Sequence, residues 1–223
     1  MSQHFINLIK QGQTKEIAAE VEAHPEVARS RDSQGVSALM WAVYTRQDVV
    51  RDFLLSGLEG LDIFEAAAVG DCDRIRALLH GDATLARAVS ADGWPPLHLA
   101  AAFGTPETVA LLLEHGAHVH ETSRNAMRNQ ALNACIALGQ SIETARLLID
   151  CGADVNYAQA GGYTPLHQAA AAGNVQMVEL LIRSHARLEL LCDQGKMPTD
   201  YAAERNHHQG VELLLSPSPG VEA

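Results

Sequence analysis

Residues 161–182 read Gly-Gly-Tyr-Thr-Pro-Leu-His-Gln-Ala-Ala-Ala-Ala-Gly-Asn-Val-Gln-Met-Val-Glu-Leu-Leu-Ile. Pro165 suits the first turn of a helix, where its missing N–H would have no partner in any case. The Ala-rich run after it forms helix readily, and Gly173 suits the turn that ends it. Val178, Leu181 and Ile182 then recur at helical spacing, giving a second helix with one apolar side. The segment therefore encodes a short helical pair. Such a pair cannot bury its apolar face alone and must stack on others.

Others are present along the chain. Residues 93–98 read Gly-Trp-Pro-Pro-Leu-His, followed by Ala100, Ala101, Gly104 and then Val109-Ala-Leu-Leu-Leu113. From Leu97 to Leu132 is 35 residues, from Leu132 to Leu166 is 34, and Pro198 lies 33 after Pro165. A period of this length marks a solenoid. Gly70, Gly104 and Gly139 stand where Gly173 stands, and Gly116-Ala117 and Gly152-Ala153 stop second helices.

The Thr-Pro-Leu-His motif, the Ala-Ala-x-x-Gly turn, the Val-x-Leu-Leu-Leu helix and the Gly-Ala-x-Val ending resemble the ankyrin repeat family, in its stand-alone, bacterial-type form. The resemblance is fullest at 90–120 and 157–189. Elsewhere the motif is replaced, by Ser37-Ala38-Leu39-Met40, Asp62-Ile63-Phe64-Glu65, Gln130-Ala131-Leu132-Asn133 and Met197-Pro198-Thr199-Asp200. The resemblance implies an all-α solenoid of about seven helix-turn-helix units with short finger turns. Capping helices span 1–31, broken at Gly12 and Pro25; repeats span 32–60, 61–89, 90–120, 121–156 and 157–189; a capping repeat spans 190–215, and 216–223 is a flexible tail.

Two irregularities stand out. Val155 to Leu166 and Ala86 to Leu97 each span 11 residues, but Val119 to Leu132 spans 13, so 123–130 is a longer finger carrying two arginines, either a binding loop or a tolerated surface insertion. Leu39 and Ile63 are only 24 residues apart, which leaves no room for a finger and predicts a local change in stacking.

Composition narrows the function. With 27 acidic against 16 basic residues, the formal charge is -11, which repels phosphate backbones and argues against nucleic-acid binding. The four cysteines, Cys72, Cys135, Cys151 and Cys192, form no CxxC pair, which suits a reducing cytoplasm. The first ten residues hold no signal-peptide stretch, and no apolar run reaches membrane-spanning length. A cytoplasmic protein without membrane contact is expected.

The resemblance implies a role in binding another protein through a concave groove and the fingers, as scaffold, adaptor or inhibitor. It places the residues before each helix-ending glycine in the groove, where Tyr44, Val69, Phe103 and Leu138 would form an apolar stripe. Trp41 joins them by position, Trp94 and Tyr163 precede the motif, and Arg124, Met127 and Arg128 lie on the long finger. These ten residues are the candidate partner site. For Trp94 and Tyr163 a structural role, covering the next finger, is an equal alternative. A monomer is expected over a homodimer that buries the stripe.

No catalytic, cofactor or metal residue is expected. GxSxG, HExxH and GxxxxGK[ST] are all missing. His118 and His120, and likewise His207 and His208, have no third ligand at zinc-site spacing. The resemblance implies that His98 and His167 hydrogen-bond to neighbouring turns. A thiol enzyme is the remaining alternative, and nothing places a histidine beside Cys135 or Cys151.

Overall fold

A computed structural model describes residues 2–215; the expected tail at 216–223 lies outside the described residues. Among the described residues the chain is helical throughout, in seven consecutive pairs. These are α1 (Ser2–Gln11) with α2 (Thr14–Ala23), α3 (Ala38–Tyr44) with α4 (Asp48–Gly57), α5 (Ile63–Val69) with α6 (Cys72–Gly81), and α7 (Pro96–Phe103) with α8 (Pro106–Glu114). Then come α9 (Ala131–Ala137) with α10 (Ile142–Asp150), α11 (Pro165–Ala172) with α12 (Val175–Arg183), and α13 (Pro198–Glu204) with α14 (His208–Leu215). Short 3-10 turns, Pro25–Arg29 and Ala83–Arg87, follow α2 and α6.

First helices pack on first helices all along the stack, and second helices pack on second helices. The exception is α4 and α6, whose direct contact is sparse although α3 and α5 still pack. The core runs continuously between the two layers. In α7, every residue from Pro96 to Ala102 is buried, and the alanines let α5 and α9 come close on either side.

Local chemistry explains where each helix begins. Asp62 caps α5, accepting from the N–H groups of Phe64 and Glu65, while Glu65 accepts from the Asp62 N–H. Thr164 caps α11, and its hydroxyl also lies 2.8 Å from His167 Nδ1. In α7 the corresponding residue is Pro95, which has no hydroxyl to give. His98 Nδ1 is accordingly left without a partner among the described residues.

In the fourth, fifth and sixth pairs the fourth motif residue ties the unit to the next. His98 Nε2 donates to the Asn129 carbonyl at 2.9 Å, Asn133 Nδ2 to the Tyr157 carbonyl at 3.2 Å, and His167 Nε2 to the Lys196 carbonyl at 3.1 Å. The fingers themselves form a ladder. Arg124 N–H donates to Gly93 O, Ala160 N–H to Met127 O, and Asp193 N–H to Gly161 O, at 2.8–3.0 Å.

Between α4 and α5 only residues 58–62 intervene, and they form no finger. The finger of the second pair therefore meets that of the fourth directly. A Cβ on Gly35 would lie 2.9 Å from the Ala91 Cβ. The missing finger thus brings together two units that are not consecutive.

Candidate functional site

The ten candidate residues fall into two groups according to what they touch. The first group is engaged within the protein. Trp41 Nε1 donates to Asp32 Oδ2 at 2.9 Å, and the Lys10 ammonium lies 3.5 Å from its ring centre. Tyr44 stands 5.6 Å from Phe103, ring to ring, and its hydroxyl donates to Asp92 Oδ2 at 2.7 Å. Burial, that hydrogen bond and the carboxylate charge push the Tyr44 hydroxyl above the ordinary tyrosine range. Val69 and Trp94 are half-buried against the core, Trp94 with its ring edge toward His98. Tyr163 packs edge-on against Tyr201 and His167 and accepts from the Tyr201 hydroxyl.

Leu138 is half-buried, and its carbonyl accepts from Arg46 Nη2 at 2.6 Å. Arg46 belongs to the second pair and Leu138 to the fifth. With Tyr44 bridging the second and fourth pairs, this bond shows that the row of turns bends toward that face. Its N-terminal half is filled by the chain's own side chains. Sequence reasoning missed Arg46 and Asp92. One signal was available: Arg46 takes the place of the helix-ending glycines and has φ 54.

The second group is Arg124, Met127 and Arg128, all exposed and all on one finger. That finger closes from Ser123 N–H to Asn129 O at 2.9 Å, six residues apart, whereas the others close four apart. Its interior is polar and internally bonded. Buried Ser123 Oγ donates to Asn129 Oδ1 at 2.7 Å and accepts from the Asn129 N–H, while Asn125 Oδ1 accepts from the Met127 N–H. Tyr157 donates to the Arg128 carbonyl at 2.9 Å from the following unit. The backbone is held from both sides and the tip side chains face solvent.

Because Tyr44 is bound to Asp92, its first role is structural. Tyr44→Phe keeps the ring contact with Phe103 and deletes the bond to a charged acceptor. Stability should fall by about 1.5 kcal/mol, read from urea unfolding followed by circular dichroism. A Tyr44 that served only a partner would give no change.

Other chemistry is sparse. Among the described residues, no group of three or more His, Cys, Asp or Glu is placed to hold a metal ion. A cavity of about 760 Å³ lies between α8 and α10, lined by Leu113, Val119 and Leu147 with His118, His120 and Cys151. Burial pushes the Cys135 thiol up to about 12. Burial also raises the Cys192 thiol, but the Tyr201 hydroxyl and nearby backbone N–H groups outweigh it and hold it below the ordinary range. Cys192 is itself buried and has a tyrosine, not a histidine, as its hydrogen-bond neighbour. Among the described residues no helix is long and apolar enough to cross a membrane.

Comparison with known proteins gives the same architecture. Residues 63–159 and 133–223 match the family described as ankyrin repeats (3 copies). A probable 26S proteasome regulatory subunit p28 of Saccharomyces cerevisiae is 24% identical over 87% of this chain and 76% of its own length. A putative palmitoyltransferase ZDHHC13 of Danio rerio is 29% identical over 87% of this chain, which spans only 31% of that protein. Cyclin-dependent kinase inhibitor 2A of Monodelphis domestica is 34% identical over 52% of this chain and 66% of its own length. With the family match covering well over half of the residues, and the stacked helical pairs and finger ladder in place, the chain belongs to the ankyrin repeat family.

Proposed function

We propose that this chain is a non-enzymatic binding module that holds a partner protein on its fingers and on the adjoining face of the first-helix layer. Ankyrin repeats are protein–protein interaction modules, and the reading is supported by one observation above all. The backbone of the 123–129 finger is fixed from both sides, while Arg124, Met127 and Arg128 at its tip are exposed. A surface ordered in advance loses little conformational freedom on binding. Phe103 and Leu138 continue this surface. Trp41, Tyr44, Val69, Trp94 and Tyr163 shape it from beneath and contribute their exposed edges. The chain acts as a monomer in the cytoplasm. Two relatives carry names of regulators, a proteasome regulatory subunit and a kinase inhibitor, which favours control of an enzyme over a purely architectural role.

The test is site-specific photo-crosslinking. A benzoylphenylalanine at Met127 in the full chain, exposed to extract of the native host, should give a discrete heavier adduct. The same group at Glu143, exposed on α10 of the outer layer, should not. Adducts from position 143 alone, or from neither position, would remove the finger surface as the site. An adduct of twice the chain mass would assign the surface to a second copy instead.

A further inference from the structure

We infer that the 123–129 finger receives an acidic segment of the partner polypeptide, with Arg124 and Arg128 gripping its carboxylates and Met127 seating an apolar side chain between them. This rests on the reading of the chain as a binding module and names the chemistry of what it binds.

Charge distribution carries the argument. The protein has 16 basic residues against 27 acidic ones, and among the described residues five of those cations pair with its own carboxylates. Arg31 pairs with Asp62, Arg51 with Asp48 and Asp52, Arg76 with Asp73, Lys10 with Asp32, and Lys196 with Glu204. Arg46, Arg74, Arg87 and Arg205 donate to backbone carbonyls instead, whereas the guanidiniums of Arg124 and Arg128 have neither kind of partner among the described residues and share one finger. Asp92, on the neighbouring finger, is occupied by the Tyr44 and Ser90 hydroxyls. Two arginines held apart from the protein's own acids are an open demand for carboxylates from elsewhere, and guanidinium meets carboxylate with two parallel hydrogen bonds.

The finger is also built to display them. Asn125 and Asn129 use their side chains inside the loop, so the residues left at the tip are Arg124, Ala126, Met127 and Arg128. Arg128 sits at φ 47, where glycine would be at less cost, yet carries a long cationic side chain. Met127 is 53% exposed and offers a flexible, polarisable contact for an aliphatic or aromatic neighbour. The occupant is a short acidic stretch of protein rather than a nucleic acid. A long polyanion would lie across the rest of a surface with formal charge -11, whereas a few residues need meet only the finger.

Fluorescence anisotropy with the full chain decides it. The probes are a labelled 12-residue peptide of Glu, Asp and Leu, a Lys-for-acid version of it, and a labelled 20-base-pair DNA duplex. The wild-type chain should bind the acidic peptide and neither other probe, with affinity falling as salt rises. The double change Arg124→Glu with Arg128→Glu should weaken binding at least about tenfold, and Met127→Ala about threefold. The thermal midpoint should stay unchanged for both. A matched double change on the outer helices, Arg146→Glu with Arg183→Glu, should leave the affinity unaltered. No binding of the acidic peptide, equal binding by the finger variant, or tighter binding of the duplex would each overturn the inference. A crosslink from Met127 that persists alongside such a result would show a binding module whose partner has a different chemistry.

Discussion

Gly104→Ala lowers the stability of the folded chain by about 3 kcal/mol, at the upper end of what overpacking usually costs. The added Cβ would stand 2.5 Å from the Ala67 carbonyl oxygen of α5, 2.8 Å from Thr108 Oγ1 and 3.0 Å from the Ala100 Cα. Two of those three atoms are backbone, so relief requires moving α7 away from α5. The contrast is Gly139→Ala. That glycine has φ 71 and no other atom within 4 Å of the Cβ site, so only conformational strain opposes the change. It should cost about 1 kcal/mol. Urea unfolding of the two variants in parallel separates them. Equal losses would mean that the α5–α7 approach is not what requires a glycine at 104.

Acid weakens the fold through His98. Burial pushes its imidazole down to about 4 from an ordinary 6.5, with the hydrogen bond to the Asn129 carbonyl acting the other way. Above about pH 6.5 neither the folded nor the unfolded chain holds the proton, and the native contacts keep their full value. As the pH falls below that, the unfolded chain takes up a proton that the folded chain refuses. Stability is therefore lost between pH 6.5 and 4, by about 3 kcal/mol in all from this one residue. His167 adds in the same direction, its imidazole also lowered by burial. His98→Gln keeps a donor for the Asn129 carbonyl and removes the titration. Its unfolding free energy should vary less between pH 7 and pH 4.5 than that of the natural chain. An unchanged slope would place the acid sensitivity elsewhere.

The helical pairs were legible because their punctuation is local. Proline at a first turn, alanine through a short helix and glycine after it each act on their own few residues, and repetition at a fixed period multiplies the signal. The longer finger was legible by counting alone. What could not be read were interactions set by the bending of the whole stack. No periodicity announces that Tyr44 will reach Asp92, 48 residues on, or that Arg46 will reach Leu138, 92 residues on. The aromatic candidates show the same boundary. Trp41 and Tyr163 have sequence positions that would serve a partner as well as the scaffold. Lys10 over one ring and Tyr201 against the other were needed to turn them inward. Gly104 was misleading in a different way. It sits where left-handed glycines end α5, α9 and α11, yet its φ is -82, and it is required for the lack of a side chain rather than for backbone freedom.

The missing finger between α4 and α5 has a further effect, on the order in which the molecule comes apart. In an array whose units touch only their immediate neighbours, either end frays one unit at a time, and each loss is a small, separate event. Here Tyr44 and Arg46 fasten the second unit to the fourth and fifth, past the third. Detaching the N-terminal units therefore also uncovers Phe103 and frees Asp92, so that end holds or melts as one block of five.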